Sequence, residues 1–367
     1  MKRNVQLDFL RFVGVFLVMV NHIYVKGDSI LDNVFKVIRV GGWSGVDLFF
    51  VLSGYLVSGL IIKEHKLYGS FNASRFLIRR GFKIYPTYYI FILFSFFLGI
   101  YSKSVTHKPT LAGLFHESVF VANYFSLNNS HLWSISVEEH FYFALALVFL
   151  LLLKYKKVQL KSFVLIYIFL LVIGIGFRLY NYFTYSDYDF PRDYTKSHFR
   201  FDALFFGVLI AYLVNFKEEF ITYILNHKYK IFFVILSVIL LSTNFIFDRE
   251  HYHIVSVFNL AFNPICYGYL MVVIIHIDKG AFLKVISPLA YIGTYSYSIY
   301  LFHRLFDNIA IHAFKNGGIF YYLFYFSSAF IVGIIISKSI EYPIISIREK
   351  YFPSRSKKNQ PVFEKGY

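Results

Sequence analysis

About ten apolar segments, each long enough to cross a lipid bilayer, follow one another along the sequence. A helix needs about 20 apolar residues to span a hydrocarbon core of roughly 30 Å, because each residue adds about 1.5 Å. The chain is therefore expected to be an all-α, polytopic integral membrane protein. The predicted transmembrane helices occupy residues 7–25, 43–62, 84–101, 132–153, 160–178, 201–216, 231–247, 254–277, 286–311 and 319–340.

The composition agrees with a membrane protein and indicates its orientation. With 57% hydrophobic and 22% aromatic residues, the chain has too little polar surface for a soluble globule. When the predicted helices alternate across the bilayer, most of the 37 Lys and Arg residues lie on the side of both termini. The positive-inside rule makes that side cytoplasmic. Topology thus accounts for much of the net charge of +16, and no nucleic-acid partner is expected.

The sequence argues against several other kinds of segment and site. A single cysteine, Cys266, excludes a disulfide framework, and without H-x-x-x-H or H-E-x-x-H spacing no metal site is expected. The first apolar segment is longer than a signal-peptide core and is interrupted by Arg11 and His22, so we expect it to be retained. Residues 1–345 are assigned to a membrane domain, and residues 346–367 to a basic, polar cytoplasmic tail that is predicted to be disordered.

The first predicted helix carries two ionisable residues, Arg11 and His22. Their spacing is close to three helical turns, which places both side chains on one face, roughly 16 Å apart. Ionisable groups inside a bilayer are costly and usually face a protein interior or a wet cavity, so the pair predicts a functional site. In the alternative interpretation, Arg11 reaches the cytoplasmic interface and His22 the opposite one, without a chemical role.

Three carboxylates near the outer ends of other helices are further candidates. Asp47 could approach His22 and orient or charge its imidazole, or it could face water at a helix start. The motif WSISVEEHFYF contains Glu138 and Glu139. Glu139 could complete an S-x-x-E capping box with Ser136, which would leave Glu138 unexplained. A catalytic role and a structural polar network both remain open for the two glutamates.

Residues that could bind substrates lie at both ends of the predicted bundle. On the cytoplasmic side, four basic residues could bind phosphates or serve only as positive-inside anchors: Arg75, Arg79, Arg80 and Lys83. On the outer side, the aromatic stretch 180–194 could stack on sugar rings or form an aromatic belt. Arg200 and Asp202 enter the sixth helix together, either as a local charge pair or as functional groups. His303 and Arg304 lie within the ninth helix.

Taken together, these residues resemble the integral-membrane acyltransferase family 3, the bacterial glycan O-acyltransferases. The resemblance runs in order from residue 7 to about residue 340, through the Arg11 and His22 spacing and the motifs GGWSGVDLFFVLSGYL, RRGFKIYP, WSISVEEHFYF, FRFDALFFG and YSYSIYLFH. It implies ten helices in a bacterial cytoplasmic membrane and an acyl-CoA donor approached from the cytoplasm, without a permanently bound cofactor. It also implies transfer of an acyl group, by family frequency acetyl, to a hydroxyl of a cell-surface polysaccharide or its lipid-linked precursor.

The resemblance also assigns roles. It implies that His22 is the catalytic histidine, here expected to act as general base, and that Arg11 is its partner. Arg80 and Lys83 stand where the family has two arginines three residues apart, and Lys83 departs from that pattern. The complete expected site comprises catalytic His22, Arg11, Glu138, Glu139 and Asp47; Arg75, Arg79, Arg80 and Lys83 for binding the acyl-CoA co-substrate; and substrate-binding Trp133, Arg200, Asp202 and His303.

Some alternatives remain open at the level of sequence. Glu138 or Asp47 could fix the tautomer of His22, and a covalent acyl-histidine could replace direct transfer. A polytopic glycan or lipid exporter would also carry charges within its helices, although the repeat symmetry expected of one is not visible. Family members often add an extracytoplasmic esterase-like domain, so the short tail here leads us to expect single-component transfer. The oligomeric state is not indicated.

Overall fold

A computed structural model describes residues 4–101, 108–185, 187–278, 280–314 and 317–355. Within these ranges the regular secondary structure is entirely helical, which confirms the all-α prediction. The α-helices in chain order are α1 Val5–His22, α2 Ile30–Gly41, α3 Gly45–Tyr68, α4 Ala73–Tyr101, α5 Leu111–Ser118, α6 Trp133–Lys154, α7 Leu160–Thr184, α8 Phe190–Asp193, α9 Phe201–Phe216, α10 Glu218–Asn226, α11 Lys230–Ile246, α12 His253–Ile275, α13 Gly280–Gly293, α14 Ser296–Ala313, α15 Ile319–Ile336 and α16 Tyr342–Tyr351.

The length and apolarity of these helices make the protein a multi-pass membrane protein, as expected. Among the described residues, 7 helical segments are long and apolar enough to cross a membrane, or 8 if α10 and α11, which meet at 87°, count as one broken span. Helices α9 and α13 are apolar but shorter. The 7 segments are Val5–His22, Ile30–Tyr68, Ala73–Tyr101, Ser130–Lys154, Leu160–Thr184, His253–Ile275 and Ile319–Tyr351.

Both described chain ends lie at the same end of the bundle. Helix α1 crosses the bundle and α3 returns, which brings the start of α4 beside the start of α1. Gln6 at the start of α1 donates a hydrogen bond to the Ile277 carbonyl at 3.1 Å, and Arg79 early in α4 donates to the Phe352 carbonyl. We call this end the basic end and the opposite end the His22 end.

Three regions differ from the sequence-based expectation. Helix α2 is not among the predicted helices, and it begins with a capping box in which Ser29 and Asp32 satisfy each other's backbone N–H groups. The predicted ninth helix, 286–311, is instead two helices, α13 and α14, separated at residues 294–295. Helix α16 continues to Tyr351, so the first residues of the predicted tail are helical rather than disordered. Residues 356–367 of that tail lie outside the described residues.

Two glycines allow α3 and α9 to pack backbone against backbone. A Cβ added at Gly54 would lie 1.9 Å from the Leu204 carbonyl oxygen, and one added at Gly207 would lie 2.2 Å from the Val51 carbonyl oxygen. Small residues are the usual means by which membrane helices approach this closely. The contact fixes α3 against α9, and each of these helices begins with part of a buried polar network described below.

We expect Gly54→Ala and Gly207→Ala each to destabilise the protein by about 1–3 kcal/mol, because a backbone carbonyl must move to admit the methyl group. Gly59→Ala is the matched control on α3, since a Cβ there meets nothing within 4 Å. The control should be neutral or slightly stabilising, since Ala has the higher helix propensity. Thermal unfolding in one detergent compares the three variants. Equal midpoints for all three would contradict the close contact.

Candidate active site

Two histidines from distant parts of the chain meet at the centre of the candidate site. His22 ends α1 and is half-buried, whereas His303 lies in α14 and is fully buried. The Nδ1 atom of His22 lies 3.0 Å from Nε2 of His303, and Nδ1 of His303 lies 2.6 Å from the carbonyl oxygen of Tyr300. The sequence analysis named both histidines but did not pair them.

The carbonyl of Tyr300 determines the protonation of both neutral rings. A carbonyl oxygen only accepts hydrogen bonds, so Nδ1 of His303 carries its proton and Nε2 of that ring is an acceptor. Nδ1 of His22 must then be the donor to His303. Nε2 of His22 is therefore left with a lone pair, and such a nitrogen can accept a proton from a hydroxyl group.

Other polar side chains surround this pair. His131 donates from Nε2 to the Leu301 carbonyl at 3.1 Å, and its ring centroid lies 5.2 Å from that of His303. Arg304 donates to the His22 carbonyl at 3.4 Å and to Asp307 at 3.1 Å. Sequence reasoning missed His131 and Asp307. The only signal for them was position: His131 immediately precedes the WSISVEEHFYF motif, and Asp307 lies one turn after His303.

A cavity of about 350 Å³ opens on the basic-end side of the histidine pair. Its walls are largely aliphatic and aromatic, with charged groups from three helices and the Tyr300 side chain. Tyr300 lines the cavity, and its backbone carbonyl accepts the hydrogen bond from His303, so one residue connects the cavity wall to the histidine pair. The predicted site residues that line it are Arg11, Arg80, Lys83 and Glu138.

Arg11 and His22 are both in α1 but contact different groups. Arg11 donates to Asp8 at 2.5 Å and lines the cavity, whereas His22 binds His303 beyond the cavity. Of the two predicted partners in α1, Arg11 lines the cavity and His22 contacts His303.

Of the four basic residues predicted to bind phosphate, three are held in ion pairs. Arg75 binds Glu64, Arg79 binds Glu349 at 2.8 Å, and Lys83 binds Glu341. Arg80 is different, since it makes no hydrogen bond or ion pair with another described residue and its guanidinium lies 6.0 Å from the centroid of the Tyr142 ring. Arg80 is therefore the one of the four that keeps an uncommitted positive charge facing the cavity.

The two glutamates of the WSISVEEHFYF motif lie inside α6 rather than at its start. Helix α6 begins at Trp133, so Ser136 and Glu139 do not form the predicted capping box. Glu139 instead accepts a hydrogen bond from Tyr85 at 3.0 Å, and Glu138 accepts one from Tyr142 at 2.6 Å. The capping pattern was misleading because the helix begins one turn earlier than the motif suggests.

The predicted contact between Asp47 and His22 is wrong, and so is the alternative of a carboxylate facing water. Asp47 is fully buried and binds Arg200, and its second oxygen accepts from Asn263 at 2.8 Å. His303 orients His22 instead.

The predicted local pair of Arg200 with Asp202 is likewise wrong. Asp202 binds Arg178 at 2.8 Å, and Trp133 packs beside Arg200, with its ring centroid 5.8 Å from the guanidinium. These ion pairs connect α3, α7 and α9 within the bundle and do not reach the histidine pair.

Comparison with known proteins places these features in a family. The model of the acyltransferase domain matches residues 4–338. A Staphylococcus aureus (strain COL) protein named "Putative O-acetyltransferase" is 26% identical over 323 residues, covering 81% of this chain and 49% of its own length. The peptidoglycan O-acetyltransferase OatA of Listeria monocytogenes is 26% identical over 150 residues, covering 37% of this chain and 22% of its own. The chain thus spans about half the length of the staphylococcal relative. No solved structure gives a significant match.

We expect the Asp47 and Arg200 pair to be a structural anchor. Asp47→Ala should destabilise the protein by about 3–5 kcal/mol, because it leaves a buried guanidinium without its counter-charge. Asp28→Ala is the matched control: it breaks an exposed ion pair with Lys36 and should cost less than about 1 kcal/mol. Thermal unfolding of both variants checks this. Equal stability of the Asp47→Ala and Asp28→Ala variants would contradict a structural role for the buried pair.

Proposed function

The chain belongs to the acyltransferase family whose model it matches, and we propose that it is a membrane O-acetyltransferase that uses acetyl-CoA as donor. The acceptor in this proposal is a hydroxyl of a cell-surface glycan or its lipid-linked precursor. The names of the O-acetyltransferase relatives support this reaction, and one of them is named for peptidoglycan. Family membership favours this function over that of a glycan or lipid exporter.

His22 is the general base of the proposed reaction. A thioester is already an activated acyl donor, so the protein must deprotonate the acceptor, stabilise the oxyanion and align both substrates. The observation that supports His22 is the hydrogen-bond chain to His303 and the Tyr300 carbonyl, which leaves Nε2 of His22 unprotonated. His303 is a positioning residue, since it holds the imidazole in the tautomer that can accept a proton.

The atoms of the reaction balance without any further reagent. The acceptor hydroxyl gives its proton to Nε2 of His22 while its oxygen attacks the thioester carbonyl carbon. The tetrahedral intermediate collapses with cleavage of the carbon–sulfur bond. The leaving thiolate then takes the proton from His22, which regenerates the neutral ring. An acyl-histidine intermediate is the alternative, and ping-pong kinetics would support it.

The donor enters from the basic end, which we assign to the cytoplasm by the positive-inside rule. A cavity of about 350 Å³ accommodates the acyl end of the donor and leads toward the histidine pair. A smaller cavity of about 30 Å³ lies nearer the basic end and is lined by Arg75, Arg79, Arg80 and Arg355. Forked guanidinium groups of this kind bind phosphates, and Arg80 lines both cavities without an ion pair to another described residue.

We expect His22→Ala to lower acceptor-dependent acetyl transfer about 100- to 10,000-fold, the usual contribution of a general base. Purified protein in nanodiscs, supplied with acetyl-CoA and acceptor glycan, is assayed by thiol release and by the O-acetyl signals of the glycan in NMR spectra. His312→Ala is the matched control, because His312 is an exposed histidine late in α14 whose hydrogen-bond partner among the described residues is the Asn308 carbonyl.

The control should keep the wild-type rate at equal expression and folding. A wild-type rate for His22→Ala would remove His22 from the chemistry. If the wild-type protein exports glycan and transfers no acetyl group, the exporter would be favoured instead.

A further inference from the structure

Four aromatic rings surround one arginine at the His22 end of the bundle. The guanidinium carbon of Arg249 lies 5.7 Å from the ring centroid of Trp43, 5.7 Å from Tyr188, 5.1 Å from Phe190 and 4.9 Å from Tyr194. We call these five residues the aromatic cage. Helices α3, α8 and α12 and their connections bring the cage together from three separate parts of the sequence.

The cage contains hydrogen-bond donors that nothing in the described chain satisfies. Nε1 of Trp43, the hydroxyl of Tyr188 and Nη1 of Arg249 are all buried without a hydrogen-bond partner among the described residues. Trp43 itself is 3% exposed. Buried polar groups are almost always hydrogen-bonded in folded proteins, so three unsatisfied groups at one place need an explanation.

The charge of Arg249 is also unpaired, since no carboxylate of the described residues forms an ion pair with it. Four other arginines in this half of the bundle bind a carboxylate: Arg178 binds Asp202, Arg192 binds Asp193, Arg200 binds Asp47 and Arg304 binds Asp307. Arg249 is half-buried, and partial burial of a cation without a counter-charge carries a cost. A ligand that brings a negative charge would remove that cost.

The cage lies beside the proposed catalytic histidine. Gly42, which precedes Trp43, packs on the last turn of α1, where a Cβ on Gly42 would lie 2.9 Å from the backbone nitrogen of Asn21. His22 is the next residue. The Tyr194 hydroxyl donates to the Trp43 carbonyl at 3.1 Å and fixes the cage to the same segment.

We propose that the aromatic cage binds the oxyanion of an acidic sugar in the acceptor glycan, and so selects acidic over neutral acceptors. This rests on the proposed function. A carboxylate or a phosphate ester only accepts hydrogen bonds, which matches a set of donors, and it neutralises Arg249. The aromatic faces can pack against the sugar ring. Burial raises the pKa of Tyr188 to about 12, so its hydroxyl remains a donor at neutral pH.

The test measures binding without acetyl-CoA, so it does not depend on catalysis. Three probes share one carbohydrate: cellobiose, cellobiose oxidised to a terminal glucuronate, and cellobiose phosphorylated at that position. Titration calorimetry with the full chain in zwitterionic nanodiscs should show at least one acidic probe binding about tenfold or more tightly than cellobiose, as expected for hydrogen bonds between charged groups. The two acidic probes distinguish a carboxylate from a phosphate acceptor.

Isosteric variants separate ligand binding from a structural role. Trp43→Phe and Tyr188→Phe each remove one unsatisfied donor but keep a ring, and Arg249→Gln removes the charge. Each should weaken binding of the preferred acidic probe several-fold, and Arg249→Gln should abolish the preference over cellobiose. Because the donors of Trp43 and Tyr188 have no hydrogen-bond partner among the described residues, Trp43→Phe and Tyr188→Phe should not lower the thermal midpoint of the unliganded protein. Tyr180→Phe is the control, since Tyr180 is 62% exposed and outside the cage.

Equal binding of all three probes, or no binding of any, would overturn the proposal. A lower thermal midpoint for Trp43→Phe and Tyr188→Phe with unchanged affinity would also overturn it, because it would show that these donors serve folding. Failure of acetyl transfer with intact acidic-probe selectivity would refute the proposed function but not the cage. Normal transfer without selectivity would refute only the cage.

Discussion

The hydrogen bond between the imidazoles of His22 and His303 is the interaction on which this account depends. It joins the end of α1 to the middle of α14, and the Tyr300 carbonyl at its far end determines the tautomer of both rings. The same tyrosine lines the cavity that opens toward the basic end. One short chain of contacts therefore links the cavity to the imidazole of His22, the proposed base. His22 in turn lies at the end of the bundle where an acceptor would approach.

Ion pairs neutralise many of the charges inside the bundle, and the unpaired charges are the ones to which we assign ligands. Within the described chain, Asp47 with Arg200 and Asp202 with Arg178 are buried pairs, and such pairs hold helices in register rather than perform chemistry. Arg80 and Arg249 form no ion pair with another described residue. Arg80 faces the cavity, and Arg249 lies in the aromatic cage at the opposite end. Their positions on either side of the histidine pair fit a protein that brings two substrates together across a membrane.

Local sequence patterns predicted the positions of most helices, but they did not predict which side chains contact each other. Apolar length located α1, α3, α4, α6 and α7 because it depends only on neighbouring residues. The pairing of His22 with His303 could not be predicted, since 281 positions separate them and helix periodicity says nothing about which helices touch. The capping pattern at Ser136 failed because α6 begins one turn earlier, directly after a 3-10 turn at Ser130–Leu132. The family resemblance named candidate residues such as His22, whereas the contacts of these residues required the structure.

The protonation of His22 is the most direct test of the central claim. Nitrogen-15 NMR spectra of histidine-labelled protein in nanodiscs, with His22 assigned from its loss in His22→Asn, report which ring nitrogen carries the proton. At a pH where the ring is neutral, the account predicts a protonated Nδ1 and an unprotonated Nε2 for His22, with that preference lost in His303→Ala. A proton on Nε2 in the wild-type protein would contradict the assignment of His22 as the base.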